Sequence, residues 1–375
     1  MEITDLGVLC NGLKEGKMGL ALAKFKGTVA GVFTNNKIKA APVIVCKENI
    51  SSGYVKGLIV NSGNANAYTG KEGLEDAREM CRIAGNLLNC DAREVAIAST
   101  GVIGRRLNME WIRKKALEVF VGLGSSKDCV ERFSKAIMTT DKFIKKAYSE
   151  KAKISAIAKG AGMICPNLAT MLCFIFTSAK FEAGELYEIL RNAVKPLNRL
   201  TVDGDTSTND TVLLFALGKE KIARDIFEEE LSKVCYNIAR QIASDGEGAT
   251  KVFEVIVKGA KSEMDAEIVA KTIANSLLIK TAIFGSDPNW GRIISAIGYS
   301  GAEIDEVITI AFENEKKRVT LVEKGVITGK EEEAREIMKG NFRIIVDLHK
   351  GTYEDFAIGC DLSYDYVKIN SEYTT

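Results

Sequence analysis

Histidine is almost absent: the 375 residues carry one, His349. A Ser-His-Asp or Cys-His catalytic machine would have to run through that single imidazole, and so would most zinc sites. It follows an apolar strand-like run and precedes a turn, which is the setting of an ordinary strand-end histidine. Proline is scarce, with four in the chain, and neither a low-complexity linker nor an internal repeat is visible. Cysteine is present as nine residues, an odd number, without one CxxC pair. Several sit inside apolar runs (Cys46, Cys173, Cys235) and read as small buried hydrophobes in a reducing compartment, not as a disulfide framework. Cys165 lies in a glycine-rich loop, but a catalytic thiol there would lack its usual base. No apolar stretch reaches the roughly 18 to 20 residues of a membrane span. The opening Met1-Glu2-Ile3-Thr4-Asp5 is acidic and unlike a signal peptide, so a cytoplasmic protein is expected. Charge of one sign is missing too: 51 basic residues face 50 acidic ones. That balance argues against nucleic acid or a membrane surface as partner.

What is present is an alternation of strands and helices. Short β-branched or aromatic runs predict strands at Thr28–Thr34, Gly57–Asn61, Glu94–Ser99, Met171–Ser178, Thr211–Leu217, Phe253–Lys258, Glu306–Phe312 and Phe342–Leu348. Apolar residues spaced by three and four predict helices through Leu74–Leu88, Met109–Phe120, Leu186–Val194, Phe227–Ile242 and Ile268–Leu278. With 46% hydrophobic residues the chain can bury a sizeable core. The class is α/β with layered sheets and helices. The segment after about Leu277 is expected to form a smaller second unit.

Polar and glycine-rich residues gather in five places, at strand ends or between elements, where sites usually lie. The first is Lys159-Gly160-Ala161-Gly162-Met163-Ile164-Cys165-Pro166-Asn167-Leu168-Ala169-Thr170, running straight into a strand. A threonine opening a strand after a turn is ordinary by itself. A cut between Ala169 and Thr170 would change that. Thr170 would then carry a hydroxyl and a free α-amine, whose pKa of about 7.7–8.0 lets it act as base near neutrality. Nucleophile and base would share one residue, with no histidine required. The second is Ser99-Thr100-Gly101-Val102-Ile103-Gly104, which can offer a hydroxyl and a backbone N–H to an oxyanion. The third, Thr201 to Asp210, is almost wholly polar. It lacks the spacing of an EF-hand loop and reads as a hydrogen-bonded loop lining a site. The fourth, Ser244 to Lys251, places Glu247 between two glycines, a charge on bare backbone suited to a ligand ammonium. The fifth pairs Gly285–Arg292 with the polar segment Asn370–Thr375.

These motifs resemble, in order and along the whole chain, those of the ornithine acetyltransferase (glutamate N-acetyltransferase) family of arginine biosynthesis. The match includes the Lys159–Thr170 segment, Asn61-Ser62-Gly63-Asn64-Ala65-Asn66-Ala67, Ser99–Gly104, Met138-Thr139-Thr140-Asp141, Asp203–Asp210, Asp245–Lys251 and Asn370–Thr375. The resemblance implies an αββα-type sandwich over residues 1–275 and a smaller α/β domain over 276–375, whose tail returns to the active site. It implies self-cleavage between Ala169 and Thr170 and an acetyl-carrying Thr170. Thr100 and Gly101 would form the oxyanion hole. Thr139, Lys159, Thr170, Glu247, Asn370 and Thr375 would bind substrate, with Thr140 as the alternative to Thr139. Acetyl would pass from N-acetylornithine to glutamate, with acetyl-coenzyme A as a further donor the sequence does not decide. No cofactor or metal is implied, and the assembly would be a dimer of cleaved αβ units. The rival reading is an N-terminal-nucleophile aminopeptidase or amidohydrolase using the same Thr170.

Overall fold

The computed structural model describes residues 1–165 and 171–372. Thr170, Ala169 and Thr375 lie outside them. In chain order the strands are β1 (Leu9–Glu15), β2 (Met18–Phe33), β3 (Tyr54–Asn64), β4 (Val95–Val102), β5 (Lys145–Ser149), β6 (Ile154–Lys159), β7 (Leu172–Ala179) and β8 (Leu200–Thr201). Then come β9 (Thr211–Glu220), β10 (Val252–Ala260), β11 (Thr309–Glu313), β12 (Arg318–Glu323), β13 (Val326–Ile327), β14 (Phe342–Asp347) and β15 (Tyr353–Cys360). Among the described residues, eight form one sheet in the order β4-β3-β2-β9-β7-β6-β5, with β1 paired to β2. Seven form a second, in the order β13-β12-β11-β14-β10-β15-β8. Every strand expected from the sequence overlaps one of these, most lying inside it to within a residue, while Glu306–Phe312 starts three residues ahead of β11.

The first sheet is mixed and covered on both faces, which explains why β7 is buried along its whole length. One face packs on the helices Ala41–Ile50, Gly70–Leu88, Met109–Val121 and Lys127–Ile137. At its centre Phe25, Phe176 and Phe215 meet at ring separations of 4.7–5.2 Å, each buried ring contributing about 2 kcal/mol. The other face packs on helices Ala183–Ala193 and Arg224–Ser244. The stripe Phe227, Leu231, Val234, Ile238 and Ile242 is buried there, together with Ile358 and Cys360 of β15 from the second sheet. The sheets therefore meet through a helix, and the layering alternates helix, sheet, helix, sheet, helix. The outer helices Glu263–Asn275, Leu277–Phe284, Trp290–Gly298 and Glu331–Ile337 cover the far face of the second sheet. That sheet draws on both sides of the expected 275/276 division: β8 and β10 precede it, β11 to β15 follow.

Cysteines behave as read from composition: seven of the nine are buried and all are free thiols. His349, just past β14, places Nε2 2.9 Å from the Thr309 hydroxyl. No described helix is long and apolar enough to cross a membrane.

Candidate active site

The strand register sets the site. Lys159 closes β6 and pairs with Leu172, the first residue of β7, which pairs in turn with Thr211, the first of β9. One end of the first sheet thus aligns three strand termini. Beside them β4 carries Thr100 and Gly101 just before its last residue, in register with Ser62 and Gly63 of β3. Gly101 has φ +130°, and a Cβ there would lie 2.3 Å from the Gly63 carbonyl carbon, so only glycine allows the strands this close. Asn209 ties the corner together, donating to the carbonyls of Ala65 (2.6 Å) and Ser99 (2.9 Å).

A polar cavity opens at this sheet end. Thr100, Gly101, Thr139, Lys159, Glu247 and Asn370 all line it, brought from separate parts of the sequence. Thr140 lines it as well. The Lys159 ammonium donates to the Thr139 hydroxyl at 2.7 Å and the Thr100 hydroxyl at 3.2 Å. Glu247 accepts from the Asn370 side chain at 2.9 Å. Asn370 stands on helix Tyr364–Glu372, which can approach because Gly248 has no Cβ: one would lie 2.3 Å from the Tyr366 nitrogen. Met163 and Ile164 before residues 166–170, and Met171 and Leu172 after them, are also cavity walls. The Thr201–Asp210 loop is the hydrogen-bonded wall the sequence suggested. Asp203 accepts from the Met163 and Ile164 N–H groups at 2.7 and 2.9 Å, and Thr206 donates to the Cys165 carbonyl. The Gly285–Arg292 segment is not among the walls. Its Asn289 caps helix Trp290–Gly298 instead.

Behind Lys159 lies a group of charges, of which Asp141 and Asp245 stand in motifs noted above without a role, and Lys145 in none. Asp141 accepts from Lys145 Nζ (2.7 Å), from the N–H of Gly160 (2.7 Å) and from the N–H of Thr139 (3.0 Å), and stands 3.9 Å from Lys159 Nζ. Lys145 also pairs with Asp245 at 2.5 Å, all three side chains being fully buried. One carboxylate thus orients Lys159, the backbone of its neighbour and Thr139 at once. Burial lowers the Lys159 pKa, opposed by Asp141. Burial alone would raise Asp141, but Lys159 and Lys145 hold it at about 2.

Asp141→Asn is expected to destabilise the fold by about 3 kcal/mol at pH 7 in urea titration, as when one partner of a buried pair is removed. The folded carboxyl is depressed below its ordinary 3.8. Its contribution is therefore complete above pH 3.8 and fades as pH falls towards 2. Wild type should lose stability across that window, and the variant should lose less.

Fold and cavity together define a mixed α/β protein with a polar site at one end of its first sheet. The chain belongs to the ArgJ family, whose description matches residues 5–375. The arginine biosynthesis bifunctional protein ArgJ of Archaeoglobus fulgidus is 65% identical over the full length of both chains. The glutamate N-acetyltransferase of Methanosarcina mazei is 48% identical over 98% of this chain and 97% of its own. The crystal structure of the arginine biosynthesis bifunctional protein ArgJ from Bacillus halodurans is 44% identical, with a TM-score of 0.50, and covers 53% of this chain and 98% of that one.

Proposed function

We propose that this chain is a glutamate N-acetyltransferase that cuts itself before Thr170 and carries acetyl on that threonine, moving it from N-acetylornithine to glutamate. One observation carries the reading. The cavity is walled by residues on both sides of the 169–170 bond, and it holds a lysine, carboxylates and the Thr100-Gly101 pair of β4.

In the cut, Thr170 Oγ attacks the Ala169 carbonyl carbon, the C–N bond gives way to an ester, and water hydrolyses the ester. In transfer, the α-amine takes the hydroxyl proton as Oγ attacks the acetyl carbonyl. The developing oxyanion meets the Thr100 hydroxyl and the Gly101 N–H. The bond to the ornithine nitrogen breaks, and that nitrogen receives the proton. Glutamate then enters and takes the acetyl by the reverse steps. Lys159 pairs with a substrate carboxylate and, as a nearby cation, lowers the amine pKa. Glu247, steadied by Asn370, meets a substrate ammonium. The cleaved units work as a dimer in the cytoplasm.

The Bacillus halodurans chain adds support. It matches over nearly its full length yet covers about half of this chain, the size a cut at 169/170 would leave.

Intact-mass spectrometry tests the cut. Acetyl transfer between N-acetylornithine and glutamate tests the activity, and acetyl-coenzyme A in place of the donor tests the second source. Acetate release that does not depend on glutamate would instead mean a hydrolase. Thr100→Ala is expected to lower kcat by roughly ten- to a thousandfold with the cut intact. An unchanged rate removes Thr100 from the mechanism.

A further inference from the structure

Apart from Lys159, the charged walls of the cavity are acidic. Asp203, Asp205, Asp210 and Glu247 line it, and among the described residues Lys159 is its only lysine or arginine. Asp141 and Asp245, further back, are already balanced by Lys145 and Lys159. Tyr366 senses the excess: burial, then Asp203, Asp205 and Glu247, push its phenol up to about 12.

Most of these carboxylates have partners. Glu247 accepts from Asn370, Asp203 from the backbone of Met163 and Ile164, and Asp205 is open to water. Asp210 is different. It is 2% exposed, it lines the cavity, and its Oδ2 has no hydrogen-bond partner among the described residues. Leaving a buried acceptor unmade costs on the order of 1–3 kcal/mol, so each such atom asks for an explanation. Burial raises this carboxyl well above the usual carboxylate range, with Ser207 and Lys159 opposing. The backbone holds it in place: its carbonyl accepts from the Thr34 N–H at 3.0 Å, and the next N–H, of Thr211, donates to the Met171 carbonyl at 2.8 Å.

We propose that Asp210 is a second cation subsite of this cavity, beside Glu247, its unpartnered oxygen accepting a hydrogen bond from a primary ammonium. The inference rests on the function proposed above, which supplies two such groups. One is the side-chain ammonium of the ornithine substrate. The other is the α-ammonium of residue 170, which a cut creates. Either would make a charge-assisted hydrogen bond with a carboxylate in a low-dielectric setting.

Asp210→Asn keeps the shape and removes the charge. The cut is followed by intact mass. The kcat/KM is followed against pH with glutamate as acceptor and two donors: N-acetylornithine, and N-acetylnorvaline, which has the same carbon chain without the ammonium. If ornithine supplies the cation, the variant loses at least tenfold with N-acetylornithine and nothing with N-acetylnorvaline. If residue 170 supplies it, both donors lose alike and the acid limb moves to lower pH by half a unit or more, because an ammonium without its carboxylate is more acidic. Lys159 on β6, Asp203 and Asp205 in the loop, Glu247, and Tyr366 on the last described helix all face the same space. They are common to both proteins, so the difference reports Asp210.

A cut, active variant with unchanged donor preference and acid limb overturns the subsite, beside a wild type that transfers acetyl. A variant that stays uncut also overturns it, since cleavage needs neither ammonium. A wild type that transfers nothing refutes the function and the subsite together. Should Asp210→Asn misfold, Asp210→Ala is assayed with added formate. Restoration of the lost parameter by formate supports the subsite, and its absence overturns it.

Discussion

Replacing Thr170 with alanine is expected to leave a single 40.8 kDa chain and to abolish acetyl transfer, a loss on the order of 10⁵-fold, as for other nucleophiles that act as a unit with their base. Both proposed steps need the same oxygen. Without Oγ there is no attack on the Ala169 carbonyl, so no cut follows and no α-amine is freed to act as base. The variant loses nucleophile and base in one substitution. Stability should change little, because the strand pairing of β7 begins at Leu172, beyond the substituted position. A denaturing gel with intact mass and a transfer assay reads both effects. Two chains from Thr170→Ala would remove residue 170 from the cleavage. Thr170→Ser should still be cut and retain part of the activity, since a hydroxyl remains.

Lys159→Met should come next in size, with transfer falling by about 10²–10³-fold, the value of a charge-assisted contact in a water-poor site. Methionine nearly fills the lysine volume, so the loss is of charge and of two hydrogen bonds, to Thr139 and Thr100. Asp141 keeps Lys145 as counter-ion, which should let the variant fold. The pH profile gives a second readout. Burial, opposed by Asp141, lowers the lysine from its ordinary 10.5. Wild-type transfer should therefore decline on the alkaline side below that value, as the ammonium loses its proton and its hold on a substrate carboxylate. The residual activity of Lys159→Met should lack that limb. A variant with wild-type kcat/KM and the same limb would sink the assignment. Lysine to arginine is not expected to rescue, because the planar fork cannot reproduce a point charge placed between two hydroxyls.

The sequence announces some of this architecture openly and hides the rest for identifiable reasons. β7 is plain because a central strand between two helical layers must be apolar on both faces, and Met171–Ser178 is. β6, its neighbour, is equally buried but reads Ile-Ser-Ala-Ile-Ala-Lys, whose small residues carry little strand preference. β15 hides behind Glu354 and Asp355, and only the fold shows that Arg199 neutralises the buried Asp355 at 2.7 Å. The run Val43-Ile44-Val45 suggests a strand by residue type, yet it lies inside helix Ala41–Ile50, with Pro42 in its first turn. Tertiary packing decided there against local preference. Helix Lys127–Ile137 carries a start signal of its own in the Ser126 cap.

At the site, Thr100, Gly101, Lys159, Glu247 and Asn370 were reachable because each sits in a polar or glycine-rich motif, and Thr139 through the family resemblance; the cavity gathers them. The pairing of Lys145 with Asp245 was not reachable. They meet across 100 positions, and no short-range pattern marks a lysine as the buried partner of two aspartates. That Asp210 Oδ2 has no partner among the described residues was equally out of reach, since whether a carboxylate has a partner is a property of packing.

The order of strands in the first sheet has one more consequence. β7 lies between β6 and β9, and β9 lies between β7 and β2. A break between 169 and 170 would put β6 and β2 on one polypeptide and β7 and β9 on the other, interleaved within a single sheet. Neither piece would own a complete core, so they could not drift apart while folded. Renaturation, however, would change its molecularity. The uncut chain folds by a unimolecular process, indifferent to concentration, whereas two severed pieces must first find one another. Cleavage would thus leave the native state where it was while making its loss, in dilute solution, far harder to reverse.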